Sequence, residues 1–190
     1  MPHRFSGKPE DLKSEKRKKI LPVDVFEREV IRRVQSRENA VDYGAGPGYF
    51  TIPLAKHFKR VYAVEANREM IEALRGELEM LKIKNVGIIL SETPHEFDFP
   101  VDFVLFSNVL HEVDDWKGFL KWASKAKVVC IIEWKKIEMD YGPPVEERID
   151  EKEMENALRE NFRFTERLPI YSHHYTLMGY NEKDALNKPD

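Results

Sequence analysis

Asp42, Gly44, Gly46 and Gly48 stand in the pattern acid-x-G-x-G-x-G, directly after a short apolar run and just ahead of an amphipathic one. Glycine has no Cβ and reaches positive φ without strain, so such a turn lets a ligand lie against bare main chain. That ligand is not a triphosphate. A Walker loop ends in Gly-Lys-Ser/Thr, whereas the matching end here is Gly48-Tyr49-Phe50. Nor is it a pyrophosphate held by the G-x-G-x-x-G fingerprint, whose third glycine would fall at position 49, where this chain has Tyr49. About 20 residues further on, where an acid at a strand end can hold ribose hydroxyls, stands Glu65 of VYAVEAN. His111, in DFVLFSNVLHEV, is a side chain near this crevice that can change charge near neutral pH. Plainer uses stand beside these: the glycines in a tight turn, Glu65 as a solvated strand-end acid, His111 as a hydrogen-bonded structural histidine, and Asn108, in the same run as His111, as a turn cap.

Such residues converge only if strands and helices alternate. AVDYG, RVYAVEA, NVGIIL, VDFVLFS and KVVCIIEW read as strands, and YFTIPLAKHF, NREMIEALRGELEMLKI and DWKGFLKWASKA read as the helices between them. Strands this continuously apolar are covered on both faces, the habit of parallel sheets flanked by helices. Upstream, VDVFEREVIRRVQS reads as one helix capped by Asp24, with Phe26, Val30, Ile31 and Val34 facing a core. Asn67 caps the long central helix. A further helix runs from about Asp150 to Glu160, Asp150 and Glu153 having the spacing of a capping box. FRFTERLPIYSHHYTLMGY forms two extended stretches able to pair as an antiparallel hairpin, and the polar residues 181–190 read as a mobile tail. The chain is expected to be a single domain, with residues 1–20 a charged, partly helical segment.

The 190 residues carry 31 basic and 34 acidic side chains, so no broad field favours an anionic partner, and nucleic acid is argued against. The basic run KSEKRKK, close to Glu10, Asp11 and Glu15, reads as a solvated helix face. Cys130 is the single cysteine, which leaves no intrachain disulfide and no Cys-rich zinc site. His173 and His174 alternate along a strand among tyrosines, which suits packing better than metal binding. The first residues lack an apolar core and no run approaches about 18 apolar residues, so neither secretion nor membrane spanning is expected and the cytoplasm is the default.

VDYGAGPGYFTIPLA resembles the first motif of the class I S-adenosylmethionine-dependent methyltransferases, and Glu65, LSETPHEF and DFVLFSNVLHEV follow in the order that family shows. The resemblance spans roughly residues 20 to 134 and implies a single Rossmann-like α/β domain. Its seven-stranded, mostly parallel sheet would have order 3-2-1-4-5-7-6, strand 7 antiparallel. A donor without phosphate accounts for the missing lysine. The resemblance places that donor against Asp42, Gly44, Ala45, Gly46, Gly48, Tyr49, Glu65, Ala66, Glu92, Thr93 and Asn108, and His111 at the mouth of the crevice. No metal is expected, and if a base is used it is His111, since an imidazole can change charge near neutral pH. Trp134, Tyr141 and the Gly142-Pro143-Pro144 loop stand where the family carries a lid, though an ordinary surface loop fits equally. The nearest likeness is to the compact group of quinone-biosynthesis and arsenite methyltransferases, and one cysteine argues against arsenic chemistry. A small-molecule acceptor is expected. The alternatives are a non-catalytic donor-binding protein or partner subunit, a methyltransferase acting on protein or RNA, and a nicotinamide oxidoreductase, which Tyr49 disfavours.

Overall fold

In the computed structural model, residues 7–182 are described. Seven strands form one sheet: β1 (Asn39–Tyr43), β2 (Arg60–Glu65), β3 (Val86–Leu90), β4 (Phe103–Ser107), β5 (Val128–Trp134), β6 (Phe164–Arg167) and β7 (His174–Tyr180), in the order 3-2-1-4-5-7-6. β1 pairs in parallel with both β2 and β4, and β7 runs antiparallel between β5 and β6. The strand order therefore reverses between β1 and β4. Two successive crossovers leave that point in opposite directions and open a crevice at the carboxyl ends of the strands. The Gly44–Gly48 turn and residues 108–112 flank it.

The apolar strands are covered on both sides as their composition requires. One face packs Phe26, Leu54 and Phe58 against Val61, Leu105 and Cys130. The other packs Phe119, Leu120, Met154 and Leu158 against Val41, Phe106 and Ile131. Every residue of β4 and β5 is buried. Helices α3 (Thr51–His57) and α4 (Arg68–Met80) follow β1 and β2, while α5 (Trp116–Ala123) and α6 (Glu151–Asn161) cover the second half. α4 starts because Asn67 Oδ1 accepts from the Glu69 N–H at 2.8 Å, and it buries Met70, Ile71, Leu74 and Leu78.

Several local expectations are corrected. The first long helix is two pieces, α2 (Val23–Glu29) and a 3-10 turn at Ile31–Arg33; Pro22, not Asp24, occupies the N-cap position. Proline enters a helix readily at its fixed φ, and the β-branched pair Val30-Ile31 is a poor place to continue one. At α6, Asp150 Oδ1 accepts from the Lys152 and Glu153 N–H groups, but the Glu153 carboxylate turns to Lys117, 3.4 Å away, so the capping box is half made. Asn181, the first residue of the expected tail, donates through Nδ2 to the Ser124 and Ala126 carbonyls; residues 183–190 lie outside the described residues. The charged N-terminal segment folds as a 3-10 turn at Asp11–Lys13 and a short helix, α1 (Glu15–Ile20), capped by the Ser14 hydroxyl.

Candidate functional site

A cavity of about 780 Å³ opens over the β1/β4 reversal. Its first wall is main chain. Gly44 and Ala45 donate their N–H groups to the Val64 carbonyl at 2.9 and 3.1 Å, locking the turn to β2. Gly44 has φ +71°, and a Cβ there would stand 2.5 Å from the Val109 side chain, so the loop can approach the β4 terminus only at glycine. Gly48 has a different task. It does not line the cavity; a Cβ on it would strike Leu74, so its bareness lets α4 pack against the loop.

Two acids brace this wall. Glu65 Oε2 accepts from the Gly46 N–H, and Oε1 accepts from Ala66 and Asn67, all at 2.8 Å. Asp42, 2 % exposed, accepts from the Thr51 hydroxyl at 2.6 Å. Burial pushes the Asp42 carboxyl up to about 7, against the pull of Thr51; nearby Glu65 adds to the rise and Arg17 opposes it.

The second wall is made of side chains. His111 sits in a 3-10 turn at Leu110–Glu112, its side chain 4 % exposed, and its Nδ1 lies 2.9 Å from Glu133 Oε2. Burial alone would lower the imidazole pKa; Glu133, by charge and hydrogen bond, with Glu112 and Glu147 behind it, carries the net shift upward. Asn108 takes a left-handed backbone (φ +55°), and its Nδ2 is 3.2 Å from His174 Nε2. Burial drives His174 down to about 2, so its ring is neutral and accepts from the Asn108 amide. Asn108 Oδ1 is thereby left buried and without a partner among the described residues.

The roof comes from α1. Arg17 lies over the Tyr49 ring at 5.2 Å, Lys16 over the Tyr141 ring at 4.0 Å, and Tyr49 donates its hydroxyl to the Leu21 carbonyl. Arg17 Nε is buried with no partner among the described residues. The basic run is thus not wholly a solvated face: Lys18 and Lys19 are exposed, whereas Arg17 turns inward. The helical period hides this, because three neighbouring lysines make the arginine look like one more surface charge.

Of the residues singled out from sequence, Asp42, Gly44, Ala45, Gly46, Tyr49, Glu65, Ala66, Glu92, Asn108 and His111 all line the cavity. Gly48 and Thr93 do not; Thr93 is exposed, bonded through its main chain to the Ser91 hydroxyl. Trp134 and Tyr141 through Pro144 also form part of the wall. Glu133 and Arg17 were missed. The signal for Glu133 was a single acid inside the most apolar strand of the chain, a residue type that burial tolerates only when paired.

The cavity fits an adenosylated amino acid. Bare loop, a strand-end carboxylate at Glu65, an orphaned donor at Arg17 Nε and an orphaned acceptor at Asn108 Oδ1 complement a ribose and a zwitterionic end.

Comparison with known proteins agrees. A sequence model described as a methyltransferase domain matches residues 9–129. The fold is similar to a SAM-dependent methyltransferase from Aquifex aeolicus, with TM-score 0.75 and 25% identity over 92% of this chain and 98% of that one. It is also similar to a putative type 11 methyltransferase from Sulfolobus solfataricus, with TM-score 0.62 and 25% identity over 83% and 92% of the two chains. Among curated proteins, a probable ribosomal RNA small subunit methyltransferase A from Methanosphaera stadtmanae is 30% identical over 42% of this chain and 29% of its own length. The one from Pyrobaculum aerophilum is 36% identical over 42% and 33%. This chain spans about a third of the length of those curated relatives. Their names overturn the argument against nucleic acid. Net charge is a sum over the whole surface and is silent about a local cluster such as Lys16, Arg17, Lys18 and Lys19, of which Lys16 and Arg17 line the cavity. No helix among the described residues is long and apolar enough to cross a membrane.

Proposed function

This chain belongs to the methyltransferase-domain family and takes S-adenosylmethionine as its cofactor, and we propose that its cavity lays that donor along the glycine loop and admits the acceptor beside His111. The reading is carried by one observation: the bare loop, Glu65, Asn108 and His111 border a single cavity. Bound there, the donor supplies a methyl group on a sulfonium, a leaving group that needs no further activation. What remains for the protein is alignment, which is worth roughly 7 to 11 kcal/mol when reacting atoms are held about 3 to 3.5 Å apart.

The chain's own residues divide that work. Glu65 holds ribose hydroxyls while keeping Gly46 in place, and Arg17 meets a carboxylate. Asn108, its amide oriented by neutral His174, offers Oδ1 to an ammonium. Ala66 and Glu92 border the adenine end. α1 and the loop from Tyr141 to Pro144 cover the cavity and keep water from it. His111 receives a proton when the acceptor has one to lose. The acceptor is reached past Trp134 and Tyr141, and both small molecules and RNA belong in the search for it.

Titration calorimetry with S-adenosylmethionine tests the donor site. Wild type should bind, and Glu65→Ala should weaken binding at least about tenfold, roughly the worth of one charge-assisted hydrogen bond, with its far-ultraviolet circular dichroism unchanged. A wild type without affinity removes the reading. Methyl incorporation from labelled donor into a cell extract, separated into small-molecule and RNA fractions, then identifies the acceptor class.

A further inference from the structure

Glu133 is 1% exposed in a strand whose every residue is buried, and it lies behind the cavity wall rather than in it. A carboxylate there is costly unless its lone pairs are filled. They are. Oε1 accepts from the Leu110 N–H at 2.9 Å, with the His111 N–H at 3.4 Å; Oε2 accepts from the Trp134 N–H at 3.2 Å and faces His111 Nδ1 at 2.9 Å. The group therefore fixes the backbone at Leu110 and His111 as well as the ring itself. A carboxylate only accepts, so the ring atom facing it is N–H. The neutral imidazole then carries its lone pair on Nε2, which lies 3.8 Å from Glu112 Oε1, beyond hydrogen-bond reach, on a residue that lines the cavity.

We propose that Glu133 is the positioning residue that holds His111 with its Nε2 lone pair toward the acceptor, and that the acceptor is accordingly a protic nucleophile, an O–H or N–H group. The inference rests on the methyl-transfer reading above. In the step, the acceptor's lone pair forms the bond to the methyl carbon, and the carbon–sulfur electron pair stays on sulfur. The acceptor proton passes to Nε2, where the imidazolium is balanced by the Glu133 charge. A buried carboxylate tied to a histidine would be a poor investment for an acceptor without a proton, since alignment alone would serve it.

The test begins with the wild-type protein free of donor. Nitrogen-15 NMR of labelled histidine, with His111 assigned by its loss in His111→Gln, should show the Nδ1–H tautomer at pH above the His111 pKa. A predominant Nε2–H tautomer overturns the proposal without any variant at Glu133. In Glu133→Gln the tautomer preference should relax and the His111 titration should move toward the ordinary histidine range; an unchanged titration also overturns it. If the amide, set against backbone N–H groups, prevents folding, the wild-type tautomer still decides. Labelled-methyl transfer to a panel of phenols, amines and an RNA oligonucleotide, alongside pyridine and dimethyl selenide as protonless acceptors, gives the chemical arm. Turnover of protic acceptors should fall about 10²- to 10⁴-fold in His111→Gln, and the double variant with Glu133→Gln should lose no more than that. Transfer confined to the protonless acceptors and indifferent to His111 sinks it. Donor affinity in the same variants, expected within about twofold of wild type, separates this outcome from failure of the donor site.

Discussion

The two walls of the cavity are built on opposite principles. On the β1/β2 side the cavity surface is main chain, held by N–H groups that donate to Val64 and Glu65 within a single βαβ unit. On the β4/β5/β7 side it is side chains, each aimed by a partner remote in sequence: Asn108 by His174, 66 residues away, and His111 by Glu133, 22 residues away. Main chain in a tight turn has few conformations and suits a constant ligand. Side chains held by second partners can be exchanged without disturbing the loop.

Gly44→Ala attacks the seam between the walls and should have the largest effect. A Cβ there would meet Val109 at 2.5 Å in a left-handed backbone, at a cost of about 1–3 kcal/mol, and displacing the loop should cut donor affinity by more than about 100-fold. Calorimetry beside a thermal melt separates the two. If affinity survives, the main-chain wall is softer than its hydrogen bonds imply.

Asp42 and His111 make the walls titrate differently. A carboxyl raised from about 4 in the unfolded chain to about 7 in the fold loses stability as pH climbs between those values, by on the order of a few kcal/mol, and the loss is complete above about 7. Asp42→Asn should abolish that decline. His111, raised by Glu133, adds stability that is full below about 6.5 and fades only as pH passes its higher folded value. Urea unfolding across pH should show the first fall in wild type alone and the second in both proteins. A flat profile for wild type would mean that Asp42 is solvated.

Arg17→Met asks whether the roof belongs with the donor wall. It should weaken S-adenosylmethionine about tenfold, as loss of one charged hydrogen bond does, while leaving 5′-methylthioadenosine, which has no carboxylate, within about twofold. Equal losses for both would place Arg17 elsewhere. Thr93→Ala should do least, changing donor affinity less than about twofold, because Thr93 is exposed and outside the cavity; a larger loss would extend the main-chain wall past Glu92.

The main-chain wall was legible because its information is local. Asp42, the three glycines and Glu65 lie within 65 residues of the N-terminus in one strand-turn-helix-strand run, and the apolar periodicity of that run already dictates a parallel pair with the turn at its carboxyl end. The same locality exposed the limits of reading a motif by spacing. Gly48 belongs to the pattern but serves Leu74, and Thr93 follows Glu92 but lies outside the cavity lining.

What the sequence determined by itself is the order of elements, the bare loop and the acid that braces it, since these follow from which residues can adopt positive φ, alternate along a strand or be buried. Only the tertiary structure decided that Arg17 turns inward from a lysine-rich helix, that Asn108 presents its oxygen, and that a lone acid in the most apolar strand stands behind His111. A hydrogen bond depends on distance through space, and residues 22 or 66 positions apart acquire one only when the sheet brings the ends of β4, β5 and β7 together.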